Sequence, residues 1–233
     1  MRIAILGYGK MGQAIEKIAI DRGHNISLKV DSKTERFTLK DCDVAIDFSV
    51  PKTAFKNISQ CIKESTPVVS GTTGWLDKYD EVVKNTKEND GTFLYASNFS
   101  LGVNIFFELN TRLAELMSKL PEYHVNIEEI HHTQKLDAPS GTAITLAEGI
   151  INQTDYKEWT LNTPKQDVIA ITAKRVENVP GTHKITYASE IDTIDIQHVA
   201  HSRQGFALGA VIAAEFIHDK KGVFTMKDVL NIS

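Results

Sequence analysis

A short apolar run, Arg2-Ile3-Ala4-Ile5-Leu6, feeds straight into Gly7-Tyr8-Gly9-Lys10-Met11-Gly12, an order that suits a strand, a tight turn and a helix and little else. Ile15, Ile18 and Ala19 then recur at helical spacing as far as Gly23. A second apolar stretch covers residues 26–30, and Asp31 closes it nineteen positions after Gly12. Strand, G-x-G-x-x-G, helix, strand and acid in that order form the dinucleotide-binding fingerprint in the setting that gives it meaning. Gly7 permits the turn, Gly9 lets the backbone approach a pyrophosphate, and Gly12 lets helix and strand pack closely. Asp31 is placed to accept hydrogen bonds from the adenosine ribose hydroxyls, which favours NADH over NADPH because a 2′-phosphate is repelled. Lys33 and Arg36 nearby soften that preference.

The alternation continues. Residues 44–51 read as a strand ending in a polar turn, and residues 52–64 as a helix with Ala54, Phe55, Ile58, Cys61 and Ile62 on one face. A strand at 67–70, a helix at 77–87 and a strand at 92–95 follow. The pattern predicts an α/β, Rossmann-type domain with helices on both faces of a parallel sheet. Ligands of such sheets sit beyond the carboxyl ends of the strands, where three turns collect: residues 7–12, Gly71-Thr72-Thr73, and Ser97-Asn98-Phe99-Ser100. Taken singly the last two read as a plain turn and a helix cap; recurring at consecutive strand ends, they are expected to frame the cofactor.

Past Leu101 the pattern changes. Residues 103–120 read as a helix whose apolar face carries Ile105, Leu109, Leu113 and Leu116, and a strand at 124–130 follows. Alternating runs at 167–175, 183–190 and 192–200 give antiparallel strand signals, so a second α+β domain with an open mixed or antiparallel sheet is expected. The alanine-rich helix at 207–217, the run at 222–224 and a tail helix at 226–230 are expected to return to the nucleotide domain, since so apolar a helix needs burial. The division is then 1–101 plus 207–233 for dinucleotide binding, and 102–206 for substrate binding and oligomerisation.

The second section opens on Glu128-Glu129-Ile130-His131-His132-Thr133-Gln134-Lys135-Leu136-Asp137-Ala138-Pro139-Ser140-Gly141-Thr142, two acids, two histidines and a lysine ahead of a helix start. Histidine titrates near neutrality and lysine is a mobile cation, so the pair can serve as proton donor and anchor. The amides of Ser140, Gly141 and Thr142, at the head of a helix to about residue 151, suit a carboxylate or phosphate. The competing reading is a basic surface loop in which Glu128 or Glu129 satisfies a buried His131 ring and Lys135 is merely solvated.

Composition narrows the partners. A net charge of −4 argues against a nucleic-acid binder, and the apolar runs are too short to span a membrane. With no room for a targeting peptide before the first strand, a cytoplasmic protein is expected. Cys42 and Cys61 suit neither a disulfide framework nor a zinc site, and His131-His132 without H-E-x-x-H is no metal signature, so no metal is expected.

With these motifs placed, the chain resembles the 4-hydroxy-tetrahydrodipicolinate reductase (dihydrodipicolinate reductase) family nearly end to end. The likeness is carried by residues 7–12, Ile46-Asp47-Phe48-Ser49-Val50-Pro51, Gly71-Thr72-Thr73-Gly74, residues 97–104, residues 131–143, Arg175 with Gly181 and His183, and residues 201–207. Its first glycine motif is one residue shorter than the family's common version, and Ser97 stands where alanine is usual. The resemblance implies His131 as catalytic acid/base and Lys135 as second proton donor. His132, Ser140, Gly141 and Thr142 would hold a small dicarboxylate substrate, and the enzyme would be a homotetramer using NADH or NADPH. His183 and Arg203 are further candidates; for Arg175, His198 and His201 a structural role is favoured. The alternatives are another two-domain amino-acid dehydrogenase, of aspartate or homoserine type, and a non-catalytic NAD-binding sensor.

Overall fold

In the computed structural model, which describes residues 1–163, 167–202 and 204–232, β1 (Arg2–Leu6) turns into α1 (Lys10–Asp21) through Gly7. Gly7 sits at φ +100°, a conformation open to glycine at little cost, and a Cβ there would lie 2.2 Å from the Phe48 carbonyl oxygen. Gly12 lies as close to the turn: its Cβ would meet the Gly7 oxygen at 2.4 Å. β2 (Asn25–Val30) and β3 (Val44–Asp47) follow, then α2 (Pro51–Lys63), β4 (Val68–Ser70), α3 (Tyr79–Glu88) and β5 (Thr92–Tyr95). Where a single helix was expected from residue 77, a 3₁₀ turn at Leu76–Lys78 comes first.

The next section holds α4 (Leu101–Met117), β6 (His124–His131), α5 (Gly141–Ile151), β7 (Glu158–Leu161), β8 (Val168–Arg175), β9 (Gly181–Ala188) and β10 (Thr193–Ala200). Its five strands lie in the order β10-β9-β6-β8-β7. β9 runs antiparallel to β6 and β10, as alternation suggests, but β8 runs parallel to both β6 and β7. The crossover through α5 brings the chain back in the direction of β6, a geometry that the alternating pattern alone does not reveal. Val125, Ile127, Ile171, Ile185 and Tyr187 of the sheet pack against Phe106, Ala114 and Met117 of α4 and Leu146 and Ile150 of α5.

The apolar face assigned to α4 needs correcting. Ile105, Leu109 and Leu116 are 47%, 54% and 54% exposed, Leu113 is only partly buried, and the buried face carries Val103, Phe106, Asn110, Ala114 and Met117. The helix has two apolar stripes, and the one that turns inward combines the bulk of Phe106 with a small Ala114. Asn110 belongs to it because its side-chain amide donates to the Leu146 carbonyl of α5 at 2.9 Å.

α6 (Gln204–Ile217), β11 (Gly222–Phe224) and α7 (Met226–Leu230) complete the first sheet, whose order is β11-β5-β4-β3-β1-β2 with every pair parallel. The chain divides into two compact units, Met1–Leu101 with Gln204–Ser233, and Gly102–Arg203. α1 and α6 cover one face of the first sheet over Ile3, Ile5 and Ile46; α2 and α3 cover the other over Ala4, Leu6 and Ala45. The order reverses between β1 and β3, and there the loops leaving the two strands diverge. α6 packs hard on the 97–100 turn: a Cβ on Gly209 would lie 1.7 Å from the Phe99 oxygen. No helix of the described residues is long and apolar enough to cross a membrane.

The revised face of α4 is testable by urea denaturation. Leu109→Lys is expected to change the unfolding free energy by less than about 0.5 kcal/mol, and Phe106→Ala to lower it by about 3–5 kcal/mol. The opposite ranking would restore the face read from periodicity.

Candidate active site

At the divergence of β1 and β3 lies a hollow of about 510 Å³ whose wall includes Gly7, Tyr8, Gly9, Asp31, Phe48 and Ser49. α1 begins at Gly9 with no side chain capping it, and nothing lies within 4 Å of the Cβ that Gly9 lacks. The amides of Lys10, Met11 and Gly12 therefore head an uncapped helix over open space, which suits a pyrophosphate. The Tyr8 side chain turns elsewhere: its hydroxyl donates to Glu16, and Lys29, paired with Glu16 at 2.6 Å, stacks on its ring. Tyr8 thus offers its backbone to the turn. The Asp31 carboxylate accepts the Lys33 amide and the Thr34 hydroxyl, each at 2.9 Å and both on Oδ1. Those bonds, the Lys33 amide first, hold it below the usual carboxylate range.

Sequence reasoning gave no role to Asp47, which organises the neighbouring turns. Its carboxylate, fully buried at the end of β3, receives the Ser49 hydroxyl (2.7 Å) and Asn57 amide (3.1 Å) on Oδ1, and the Ser70 (3.0 Å) and Thr72 (2.8 Å) hydroxyls on Oδ2. Burial raises its pKa, and the four donors oppose that. The Thr72 hydroxyl also accepts the Ser49 amide at 2.9 Å, so this side chain is structural. Gly71 packs on Phe48, whose ring would be 2.3 Å from a Cβ, and Thr73 is exposed. In the 97–100 turn Phe99 is a core residue, 1% exposed and packed at a tilt against the Phe48 ring, so it offers only backbone. Ser97 is exposed, and Asn98 fixes the turn by accepting the Ser100 amide at 2.9 Å. The signal for Asp47 was present as an acid in an otherwise apolar strand. A larger hollow of about 660 Å³ at the amino ends of the strands includes Lys220 and Lys221, but both ammonium groups are bonded to carbonyls of their own surroundings.

In the second unit Glu129 and His131 project from β6 toward the helices, where His183 of β9 and Arg175 of β8 meet them. Glu129 is fully buried. Its Oε1 faces Arg175 Nη2 at 3.3 Å, and its Oε2 lies 3.5 Å from His131 Nδ1 and 3.8 Å from His183 Nε2. The Ser140 amide donates to both oxygens, at 3.2 and 3.1 Å. The Ser140 hydroxyl accepts the Ala143 amide at 3.1 Å and lies 3.2 Å from His183 Nε2. Ser140 therefore caps α5 instead of offering its amide to a ligand, which corrects the expected grip; Gly141 and Thr142 remain as the donors of that first turn.

Lys135 forms an ion pair with Asp137 at 2.9 Å, which holds the Asp137 carboxyl below its usual range. His132 lines a separate hollow of about 500 Å³ with Thr133, Gln134 and the 177–180 turn. Arg175, expected to be structural, bonds the Lys135 and Asp137 carbonyls at 3.3 and 2.6 Å as well as Glu129. His198 is partly buried on β10, His201 is exposed, and Arg203 lies outside the described residues.

Burial pushes the His131 pKa down; Lys135 and Arg175 add to this, and Glu129 and Asp137 oppose it. His183 is driven further, to about 3, by burial first and then by His131, His198 and Lys135. Glu129, His131 and His183 bring ligand-type atoms within 4.8 Å of one another; the sequence offers Glu129 as a partner of the His131 ring, but nothing in its spacing brings His183 to them. Arg175 already places a positive charge on the same carboxylate, which opposes a metal cation there.

A doubly wound sheet with an uncapped glycine turn, joined in one chain to a unit that holds histidine, lysine and a helix N-terminus, defines a nicotinamide dinucleotide-dependent oxidoreductase. Family models described as dihydrodipicolinate reductase match both parts, the N-terminus over residues 1–99 and the C-terminus over residues 102–230. A 4-hydroxy-tetrahydrodipicolinate reductase of Christiangramia forsetii is 61% identical over 99% of this chain and 98% of its own. One from Thermosipho africanus is 34% identical over 99% and 98%. The solved structure of dipicolinate-bound dihydrodipicolinate reductase from Paenisporosarcina sp. TG-14 shares the fold, with a TM-score of 0.76 over 97% of both chains at 23% identity. The chain belongs to the dihydrodipicolinate reductase family.

The depressed His183 pKa fixes a pH dependence. Between 6.5, its ordinary value, and about 3 the unfolded chain binds a proton that the folded chain refuses. The contribution of this group to stability is therefore complete above pH 6.5 and falls as pH drops toward 3, by up to about 1.4 kcal/mol per pH unit. Urea denaturation across that range should show a shallower slope for His183→Gln than for the parent chain; equal slopes would mean that His183 takes up its proton as readily folded as unfolded.

Proposed function

We propose that the chain reduces 4-hydroxy-tetrahydrodipicolinate to tetrahydrodipicolinate, with loss of water, in the diaminopimelate route to lysine. The observation that carries this reading is the segment from His131 to Thr142, which in a chain of this family sets two proton-bearing side chains just ahead of a helix N-terminus. A nicotinamide cofactor held by the turns at residues 7–12, 71–73 and 97–100 would supply the hydride. Once the hydroxyl has left as water, C4 of the conjugated imine accepts that hydride, electron density moves to the ring nitrogen, and the resulting enamine is protonated at carbon.

The residues divide that work. His132 and the Gly141 and Thr142 amides, with the Thr142 hydroxyl, hold the carboxylates. The Lys135 ammonium stabilises the negative charge that develops and donates a proton. His131 is kept neutral by burial in the free protein, and a dianionic ligand beside it favours the charged ring, so it takes up its proton as the substrate binds. Asp31 is exposed and lines the same hollow as Gly7 and Gly9, and its carboxylate there favours the ribose hydroxyls of NADH over the 2′-phosphate of NADPH.

The enzyme works in the cytoplasm as a homotetramer built through the second sheet. One face of that sheet packs on α4 and α5; the other presents Asn126, Glu128, Ile130, Lys184 and Thr186, none of them buried. Sedimentation equilibrium is expected to give four times the chain mass, and a monomer at micromolar concentration would remove the assembly from the proposal.

The activity is tested with substrate generated in place from aspartate semialdehyde and pyruvate by the preceding enzyme, following NADH and NADPH oxidation separately. Turnover is expected with at least one cofactor; none with either, from folded protein, would sink the reading. Lys135→Ala should lose about 100-fold or more in kcat while binding NADH normally. Near-normal turnover would remove Lys135 from proton transfer. Asp31→Ala should shift the preference toward NADPH, and an unchanged ratio would refute its role.

A further inference from the structure

Four segments of the second unit converge on the Glu129 carboxylate: its own strand through His131, β8 through Arg175, β9 through His183, and the head of α5 through the Ser140 amide. The two oxygens are used differently. Oε1 faces Arg175, at 3.4 Å from Nη1 and 3.3 Å from Nη2, and Arg175 in turn holds the carbonyls of Lys135 and Asp137. Those carbonyls flank Leu136, which is 97% exposed, so the loop is pinned on either side of its outermost residue. Oε2 faces the two histidines.

The far edge of the His131 ring is also defined. Nε2 lies 3.2 Å from the position that a Cβ on Gly181 would take, so the ring has room there because residue 181 has no side chain. Gly181 does not take a left-handed backbone conformation. Space, and not φ, is what the glycine provides.

We propose that Glu129 is the positioning residue for both proton donors: Oε2 holds the His131 ring with its proton on Nδ1 and Nε2 as the exchanging nitrogen, and Oε1, through Arg175, fixes the loop that carries Lys135. This deepens the reductase reading and rests on His131 and Lys135 as its donors. Oε2 lies 3.5 Å from Nδ1, which makes no hydrogen bond in the free protein; a proton gained by the ring draws the two together into a charge-assisted bond. The charged groups facing His131 are Glu129 from β6, Lys135 and Asp137 from the loop and Arg175 from β8; His183 from β9 is neutral near pH 7. Glu129 is the fully buried acid among them, and it counteracts the burial that strips the ring of its proton.

The test is Glu129→Gln, which keeps the shape, removes the charge and can present an amide donor to Nδ1. With NADH affinity unchanged, kcat should fall about 100-fold while KM moves by about twofold or less. The pH at which kcat/KM declines should also move down, because a donor that must be protonated loses its proton earlier without the carboxylate. A kcat within about twofold of the parent and an unmoved profile would overturn the proposal. Nitrogen NMR of the parent chain at neutral pH, which needs neither turnover nor a variant, should show His131 protonated at Nδ1. Protonation at Nε2 instead would overturn the proposal even if the reductase assay succeeds, whereas a parent chain that lacks turnover but shows the Nδ1 proton would sink the activity and leave the positioning intact. Should Glu129→Gln fail to fold, Gly181→Ala crowds Nε2 directly: a loss in kcat with normal NADH binding is expected, and full kcat would remove Nε2 from proton exchange.

Discussion

A carboxylate taken out of water costs several kcal/mol unless its oxygens receive donors, and each unit of this chain places one at the carboxyl end of a central strand. Asp47 closes β3 and Glu129 stands near the end of β6, both without solvent exposure. The donors that make burial tolerable come from separate elements and turns: Ser49, Asn57, Ser70 and Thr72 in one case, Ser140 and Arg175 in the other. Neither set of segments can shift without stranding a charge. That penalty, more than any single contact, holds the turns beyond the strands in one arrangement.

The two clusters differ in a way that matches the work proposed for them. Asp47 is satisfied by uncharged donors alone, so its loops are fixed without placing a cation among the turns, and the uncapped head of α1 supplies the positive potential for a pyrophosphate. Glu129 is met by a guanidinium and two imidazoles, groups whose charge or proton can answer a ligand. A rigid network free of titrating cations suits a cofactor that must be held in one pose. A network of titratable groups suits a reaction in which a proton has to move.

Much of the first unit was legible because its signals are local. The strand, turn and helix of residues 2–21 follow from glycine positions and apolar spacing, and the parallel sheet follows from their repetition. The second unit was less so. α4 offers apolar residues on two sides, and only the packing of Phe106 and Asn110 against α5 decides which side is buried. Likewise the direction of β8 depends on a crossover, which period-two alternation cannot encode. At the site, His131 and Lys135 announce themselves by residue type. Glu129, Arg175 and His183 do not, because their meeting is a product of strand register: Glu129 lies opposite His183, and His131 opposite Arg175. The amide of Ser140 showed the same limit, since a helix start suggests an anion site but not that the anion is already a side chain of the protein.

The seating of Gly209 on the Phe99 oxygen, with β11 paired to β5, bears on how the molecule comes into being at the ribosome. The first unit is interrupted by the whole of the second, so its sheet lacks an edge strand, and one of its faces lacks a covering helix, while about a hundred further residues are made. At about 5–20 residues per second that interval is roughly 5–20 seconds. Through it the edge of β5 and the apolar residues meant for α6 stand open, the kind of surface on which nascent chains associate wrongly. The inserted unit, continuous in sequence and with a core of its own, can fold meanwhile. The order of completion is thus written into the topology: the domain that begins first is finished last.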